Sequence, residues 1–241
     1  MTKGDAPILT LEKLTFGQGD FSLSADLTLS HGQVTAIIGP SGAGKSTLLH
    51  GIAGFVPQIA GRLLWQGVEI TQFTPEQRPV SMLFQDNNLF PHLTVLQNVA
   101  LALTPKLRPS SDVVERVEDV LSQVSLSGLS KRKPAELSGG QQSRVALARA
   151  LLQDRPIMLM DEPFSALGPA LKREMLRLSI SLAAQRTLVM VTHDPTDAVE
   201  IAHEVIGVAN GSASRPMETP KFMANPPEPF GDYFGNSITS Q

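Results

Sequence analysis

The first clear pattern in the chain is a strict alternation of apolar and polar positions over residues 21–29, which read FSLSADLTL. A period of two residues with one apolar and one polar face is typical of an antiparallel strand that faces water on one side. Residues 8–16 and 62–70 are plausible partners for this strand. The pattern therefore predicts a small antiparallel sheet near the start of the chain.

Four other short segments are apolar at almost every position, as in strands that are buried on both faces of a parallel sheet. Each of them ends in a glycine or in polar residues. Because ligands of open parallel sheets bind beyond the carboxyl ends of the strands, these terminal residues are predicted to converge on one place. The segments are residues 34–38, 80–84, 157–160 and 187–192, and the residues that follow or end them include Gly39, Gln85, Asp161, Glu162 and His193.

The segment between the second and third of these strands shows helical periodicity instead. Thr94 and Gln97 have the spacing of a capping box at the start of a helix. Residues 111–126 carry apolar side chains at helical spacing. The pattern therefore predicts a mostly helical region that interrupts the alternation of strands and helices.

This change of pattern predicts the domain organisation. We expect one domain in which residues 1–85 and 155–211 form the core and residues 86–154 form an inserted helical subdomain. Residues 212–241 are expected to form a C-terminal tail, which its proline-rich sequence predicts to be loosely packed.

The most specific motif is GPSGAGKST at residues 39–47, which fits the pattern G-x-x-x-x-G-K-[ST] between a predicted strand and a predicted helix. Glycines let backbone N–H groups turn inward, and the helix N-terminus adds a partial positive charge, so the loop suits a phosphate chain. Lys45 is expected to reach the β- and γ-phosphates and the Ser46 hydroxyl to bind Mg²⁺. An ordinary glycine turn is the alternative for an isolated match. The residues predicted to contact the nucleotide are Gly39, Pro40, Ser41, Gly42, Ala43, Gly44, Lys45, Ser46 and Thr47.

Two adjacent carboxylates, Asp161 and Glu162, follow the apolar strand of the sequence IMLMDEP. An acidic residue in this place can hold Mg²⁺, usually through water, and this is the role expected of Asp161. Glu162 is better placed to orient and partly deprotonate an attacking water. A solvated acidic turn would explain the pair if it stood alone, but the glycine loop elsewhere in the chain favours the catalytic interpretation.

A second glycine-containing helix start lies at residues 137–151, which read LSGGQQSRVALARAL. Ser138 is a candidate N-cap, and Gly139 and Gly140 leave backbone N–H groups uncovered. The stretch is therefore a second candidate anion site of the same physical type. A capped helix with a glycine entrance explains the same residues, and physical reasoning alone does not separate the two interpretations.

Composition narrows the class of protein. The 241 residues carry a net charge of −3 with no basic run, so nucleic-acid binding has no electrostatic support. The chain has no cysteine, which excludes disulfides and cysteine-ligated zinc. No apolar run approaches the ~18 residues that a membrane-spanning helix needs, and the first residues lack a signal-peptide pattern. We therefore expect a soluble chain that meets any membrane through a partner.

The motifs together carry a resemblance. The glycine loop, Gln85, LSGGQ, LMDEP and His193 occur in the order and spacing of the ATP-binding cassette (ABC) ATPases, and the chain resembles that family over residues 8–211. LSGGQ is the signature of the family. The resemblance implies an α/β fold: a mixed-sheet core of the P-loop NTPase type, with an N-terminal antiparallel β subdomain and an inserted α-helical signature subdomain. It also implies an ATPase that uses ATP and Mg²⁺.

The resemblance further implies a homodimer in which two copies close head to tail on two ATP molecules. Ser138, Gly139 and Gly140 would then contact the γ-phosphate bound to the opposite copy. Gln85 would bind Mg²⁺ and link it, with the attacking water, to the helical subdomain. His193 would hydrogen-bond the γ-phosphate.

Two features depart from the family pattern. The family usually has an aspartate where this chain has Gly168, a position that normally acts across the dimer interface. The family also stacks an aromatic side chain on adenine, and the only tyrosine here is Tyr233, near the end of the chain. Phe16 is the first candidate for the stacking residue and Phe21 the second; the alternative for both is a place in the core of the sheet.

The absence of a membrane-spanning pattern makes the chain resemble the separate ATPase subunit of a bacterial-type importer. That resemblance implies permease subunits as partners, a periplasmic solute-binding protein reached through them, and a location at the cytoplasmic face of the inner membrane. Residues 78–99 and the glycine loop are similar to the ATPases of thiamine importers, which implies thiamine or a thiamine phosphate as cargo. Iron(III) and other short importer ATPases are alternatives. A non-transport ABC ATPase would usually carry a coiled-coil insert or two fused cassettes, and this chain has neither.

Overall fold

The computed structural model describes residues 7–18, 21–183, 186–228 and 230. Helices and strands alternate along the chain in the pattern of an α/β protein. Two short 3₁₀ turns, Pro75–Gln77 and Pro134–Glu136, join longer elements. In chain order the elements are β1 (Pro7–Gln18), β2 (Phe21–Ser30), β3 (Val34–Ile38), α1 (Lys45–Ala53), β4 (Gln58–Trp65), β5 (Val68–Glu69), β6 (Val80–Leu83), α2 (Val95–Ala100), α3 (Ser111–Gln123), α4 (Gly139–Leu152), β7 (Ile157–Asp161), α5 (Pro169–Leu182), β8 (Thr187–Val191), α6 (Pro195–Ile201), β9 (Glu204–Ala209), β10 (Ser212–Ala213), β11 (Met217–Glu218) and α7 (Thr219–Ala224).

The strands of the described residues form one mixed sheet in the order β5-β4-β1-β2-β10-β9-β3-β8-β7-β6, with β11 paired to β9. β1 pairs antiparallel with both β2 and β4, so the predicted antiparallel sheet is confirmed. The odd-numbered residues of β2 pack inward and the even-numbered ones face out, as the alternation predicted. This antiparallel half is joined to the parallel half through β10, which pairs with both β2 and β9.

The parallel half is confirmed as well. Every residue of β3, β7 and β8 is buried, because helices cover both faces of the sheet there. The register aligns Asp161 of β7 with Val191 of β8, and Ile37 of β3 with the same Val191. The residues that follow these three strands therefore emerge side by side at one edge of the sheet.

The segment 86–154 is helical, as predicted. Thr94 caps α2: its side chain accepts a hydrogen bond from the Gln97 N–H at 3.2 Å, and the Gln97 side chain accepts one from the Thr94 N–H at 3.0 Å. α3 ends at Gln123, three residues before the predicted end, and Ser125 has a φ of 60°. Side chains of α2, α3 and α4 share one apolar core with one face of β7 and β8. The boundaries of the subdomain and of the tail stay predictions.

The prediction of a loosely packed tail is wrong for the part of it that the structure describes. β11 pairs with β9, and α7 packs against the same strand. Phe222 and Phe230 are only 0% and 3% exposed, with their rings 5.9 Å apart. Burial of the two phenylalanine rings stabilises this segment despite its proline content. Pro220 lies in the first turn of α7, where a proline costs no backbone hydrogen bond of the helix. Residues 231–241, with Tyr233, lie outside the described residues.

Candidate functional site

The glycine loop runs from the end of β3 into α1 and lines a cavity of about 440 Å³. Gly39 has a φ of 155°, and a Cβ there would lie 2.0 Å from the Val208 carbonyl oxygen. Gly44 has a φ of 103°, and its missing Cβ leaves room for the Phe21 ring. Gly44 is the N-cap of α1 and offers no side-chain acceptor, so N–H groups of the first helical turn are left for a ligand. The lining residues are Phe21, Ser41, Gly42, Gly44, Lys45, Ser46, Thr47 and Glu162.

Lys45 places a buried cation over this loop. Its ammonium donates hydrogen bonds to the Gly39 and Pro40 carbonyl oxygens, both at 2.9 Å. Burial lowers the pKa of Lys45, while the carboxylates of Glu162 and Asp161 act in the opposite direction. Its hydrogen-bond partners are carbonyls and not carboxylates, so an anionic phosphate in the cavity would be a favourable partner for the charge.

Ser46 and Asp161 bring oxygen donors together beside Lys45. The Ser46 hydroxyl donates to Asp161 Oδ1 at 2.8 Å, joining the first turn of α1 to the end of β7. Hydroxyl and carboxylate oxygens are the donors that Mg²⁺ prefers, so this pair suits the ion. His50, one turn further along α1, has its Nε2 atom 3.0 Å from Asp161 Oδ2. Sequence reasoning missed His50, although its i+4 spacing from Ser46 places both side chains on one face of the helix.

Glu162 and His193 meet at the same edge of the sheet. His193 Nδ1 lies 3.1 Å from Glu162 Oε2, and which atom donates depends on the tautomer of the imidazole. Glu162 has a φ of 42°, a left-handed conformation that is strained for a non-glycine residue and persists where the surrounding structure fixes it. The pair places a candidate carboxylate base, which lines the cavity, beside a histidine whose side chain is 59% exposed.

The loop that carries His193 is anchored by buried polar contacts. The Thr192 hydroxyl donates to Asp197 Oδ2 at 2.6 Å, and Lys172 Nζ pairs with the same carboxylate at 2.6 Å. Lys172 belongs to the first turn of α5, four residues after Gly168. Gly168 itself is the exposed N-cap of α5, and a Cβ there would meet no atom within 4 Å. The departure from the family pattern therefore leaves open space on the surface.

Gln85 is exposed just beyond β6 and does not line the described cavity. The residues that follow it are tied to the signature helix. Asn87 and Asn88 have φ values of 56° and 46°, and their carbonyls accept hydrogen bonds from Arg149 of α4, both at 2.8 Å. The segment after Gln85 is thereby fixed to the helical subdomain.

Ser138 caps α4 as predicted. Its hydroxyl accepts a hydrogen bond from the Gln141 N–H at 3.3 Å, and the Gln141 side chain accepts one from the Ser138 N–H at 3.0 Å. Ser138 and Gly139 are exposed, and neither they nor Gly140 line the described cavity. Within one copy of the chain, the signature and the glycine loop do not form one site.

The structure contradicts the assignment of Phe16 as the adenine-stacking residue. Phe16 is 1% exposed, and its ring covers α1 so closely that a Cβ on Gly51 would lie 2.5 Å from it. Phe21, the second candidate, instead lines the cavity against Gly44. Both residues are phenylalanines near β2, so the residue type does not distinguish them. Phe21 is favoured because β2 begins beside the glycine loop.

Comparison with known proteins gives matches over nearly the whole chain. Residues 23–165 match the family model of ABC transporters. The chain is 52% identical over 230 residues to the thiamine import ATP-binding protein ThiQ of Cereibacter sphaeroides, covering 95% of this chain and 100% of the relative. It is 53% identical over 232 residues to ThiQ of a Ruegeria species, with the same coverage, and 49% identical over 206 residues to ThiQ of Shigella flexneri, covering 85% and 89%.

Solved structures match equally broadly. The ADP conformation of MJ1267, an ATP-binding cassette of an ABC transporter, superposes with a TM-score of 0.83 at 27% identity, covering 95% of this chain and 99% of that one. A nucleotide-free ATP-binding cassette from an ABC transporter gives 0.80 at 28%, covering 91% and 96%. Among the described residues, no helix combines the length and apolar character needed to cross a membrane. The chain therefore belongs to the ABC transporter family, as an ATP-binding cassette of the α/β P-loop type.

Proposed function

We propose that the chain is the ATP-hydrolysing subunit of an importer for thiamine or a thiamine phosphate. Identity of 52–53% to two thiamine import ATP-binding proteins, over their full length, is the observation that carries the choice of cargo. Iron(III) and other small solutes remain the alternatives, and no contact in this subunit favours them.

Nucleotide binding follows from the glycine loop. The N–H groups at the start of α1 and the Lys45 ammonium would hold the β- and γ-phosphates, while Phe21 would stack on adenine. The residues that would hold Mg²⁺ are Ser46 and Asp161, joined by Gln85 when the helical subdomain moves toward the core. When bound, Mg²⁺ offsets negative charge on the phosphates.

Hydrolysis would depend on Glu162 and His193. Glu162 orients the attacking water in line with the γ-phosphate and accepts its proton. His193 Nδ1 lies 3.1 Å from Glu162 Oε2, and the imidazole would hydrogen-bond a γ-phosphate oxygen. The anchored loop from Thr192 to Asp197 keeps the imidazole in reach of both.

A second copy of the chain would complete each site. Ser138 and Gly139 lie exposed, and neither they nor Gly140 line the cavity, which supports a role on the phosphate bound by a partner copy. ATP-driven closure of the pair would move permease helices bound near Gln85, at the cytoplasmic face of the inner membrane. A periplasmic solute-binding protein would deliver the cargo.

The test is reconstitution with the permease and the thiamine-binding protein that the proposal implies as partners. Thiamine-loaded binding protein should raise the rate of ATP hydrolysis in proteoliposomes well above the rate with unloaded binding protein. Iron(III) in place of thiamine is the control and should leave the rate at its unloaded value. Stimulation by iron(III) alone, or no ATP hydrolysis in either state, would overturn the proposal.

A further inference from the structure

Three aromatic side chains form a cluster at the C-terminal end of α1: His50, Phe55 and Phe84, named here the aromatic cluster. The His50 ring centroid lies 6.4 Å from that of Phe55, edge-on at 86°, and 6.2 Å from that of Phe84. The two phenylalanine rings are 5.9 Å apart. Each ring therefore contacts the other two, in tilted and edge-on arrangements that aromatic pairs favour.

One side of this cluster faces the metal ligand. His50 Nε2 is buried and lies 3.0 Å from Asp161 Oδ2, in contact with that oxygen but misaligned for a hydrogen bond. The other carboxylate oxygen, Oδ1, accepts the Ser46 hydroxyl. Asp161 is thus held between two side chains of α1 that are one helical turn apart.

The other side of the cluster faces outward. Phe55 and Phe84 line a cavity of about 330 Å³ together with Ala102 and Gln153, which follow helices of the helical subdomain. Phe55 is 54% exposed, which is unusual for a phenylalanine that also packs on two rings. Phe84 directly precedes Gln85, so this cavity adjoins the loop between the core and the helical subdomain.

We propose that His50 is a positioning residue that fixes the Asp161 carboxylate for metal binding and links it mechanically to Phe55 at the surface. This inference rests on the proposed function, since it concerns the metal that accompanies ATP. Side chains that orient a metal ligand from behind typically alter metal affinity 10–100-fold when removed, without contacting the metal. A bound partner that displaced Phe55 would shift the His50 ring and, with it, the Asp161 carboxylate. The metal site would then be connected to the surface that binds the partner in two ways, through Gln85 and through the aromatic cluster.

The competing explanation is that His50 only packs against its neighbours. The affinity for a metal ion distinguishes this explanation from the positioning role. The probe is Mn²⁺, titrated by electron paramagnetic resonance into protein saturated with the non-hydrolysable ATP analogue AMP-PNP. For His50→Leu we expect the Mn²⁺ dissociation constant to rise about 10-fold. Binding of AMP-PNP in EDTA, which depends on the glycine loop and Lys45, should persist. His50→Gln, which returns a polar nitrogen to this position, should recover part of the Mn²⁺ affinity.

Phe55→Ala tests the link to the surface. It should raise the Mn²⁺ dissociation constant by a smaller factor, and it should add nothing in the His50→Leu background, because it acts through His50. His92→Leu is the matched control: it removes an exposed imidazole that also lies beside a phenylalanine, Phe90, at 6.0 Å, and should leave Mn²⁺ binding as it is.

Two results would overturn the inference: wild-type Mn²⁺ affinity in folded His50→Leu, or additive effects of Phe55→Ala and His50→Leu. Thermal unfolding of each variant shows that it is folded, and the Gln variant answers the question if the Leu variant does not fold. If the wild-type protein binds AMP-PNP in neither the presence nor the absence of Mn²⁺, the proposed function itself is wrong. Nucleotide binding by the wild type with no change in the His50 variants rejects this inference alone.

Discussion

Glu162 combines two features at the scale of a single residue: a left-handed backbone at the end of β7 and a side chain within 3.1 Å of His193. The left-handed conformation costs about 1–3 kcal/mol for a non-glycine residue, and it is retained where the surrounding structure fixes it. A carboxylate fixed in this way beside the phosphate loop is suited to accept a proton from water.

Replacement of Glu162 by glutamine should therefore stall hydrolysis while ATP still binds. Glutamine keeps the size of the side chain but cannot accept the proton, so the rate of phosphate release should fall about 10²–10⁴-fold. ATP affinity, measured by equilibrium binding, should stay close to that of the parent. Glu115→Gln, at an exposed position of α3, is the control. Turnover by Glu162→Gln at the parent rate would show that another group activates the water.

Phe21 gives a second prediction at this scale. Loss of its ring in Phe21→Ala should weaken ATP binding by about 0.5–1.5 kcal/mol, the value of an aromatic stacking contact. Binding of inorganic triphosphate, which has no base, should be unchanged. Calorimetric titration with both ligands measures the difference. Equal losses for ATP and triphosphate would mean that Phe21 supports the loop and not the base.

The two phenylalanines also mark a limit of sequence reasoning about residues. The sequence predicts that the glycine loop, Asp161, Glu162 and His193 share one sheet edge, and the structure has them there because strand register fixes where each strand ends. It does not predict the burial of Phe16, because burial of a single ring depends on the small residue opposite it, here Gly51 on α1. That contact joins residues far apart in sequence and leaves no local pattern.

At the scale of elements, α1 depends on Arg78, whose side chain is buried at the C-terminal end of the helix. The guanidinium donates to the carbonyls of Gly51 and Ile52 at 3.0 and 2.8 Å, and to those of Thr71 and Phe73 at 3.1 and 3.2 Å. A cation at this end offsets the helix dipole and satisfies carbonyls that have no partner within the helix. Burial lowers the pKa of Arg78. The hydrogen bonds to the four carbonyls offset the free-energy cost of removing the guanidinium from water.

Arg78→Met should accordingly destabilise the fold by about 2–4 kcal/mol, since it leaves buried carbonyls without donors. Urea unfolding followed by circular dichroism measures the change. Arg155→Met is the matched control: Arg155 makes one hydrogen bond, to the Glu76 carbonyl, and its loss should cost about 0.5 kcal/mol or less. Similar losses in both variants would contradict the role given to Arg78.

Elements with strong periodicity were predicted from the sequence, and those held by distant contacts were not. The alternation in β2, the capping box of α2 and the N-cap Ser138 of α4 are local patterns, and the structure has each of them. α7 was missed because its stability comes from Phe222 packing under β9 together with Phe230. Proline content, the signal that the prediction used, is compatible with the start of a helix as well as with a loose tail.

At the scale of the whole molecule, the arrangement of the two glycine-containing helix starts is the main feature. α1 begins after a glycine N-cap that offers no side-chain acceptor, and α4 begins at Gly139 and Gly140 after the N-cap Ser138, yet only the start of α1 lines the described cavity. Arg149 holds the segment after Gln85 to α4, so the signature and that loop are expected to move together. The geometry of one copy thus supports a site that two copies share.

The closed dimer proposed above, and its movement, are not contained in the sequence pattern of a single chain. Motif order gives the family, and register gives the sheet edge where the candidate catalytic residues meet. The proposed placement of Ser138 on a partner's nucleotide depends on an interface between molecules. The assembly is therefore the part of the account that needs its own measurement.

That measurement is the mass of the protein in solution with Mg²⁺ and ATP, by sedimentation equilibrium, in the Glu162→Gln background that prevents turnover. We predict a monomer without nucleotide, a dimer with Mg²⁺ and ATP, and a nucleotide-bound monomer when Ser138→Arg is added. A monomer that holds ATP with Ser138 intact, or a dimer that forms equally well with Ser138→Arg, would contradict the shared site.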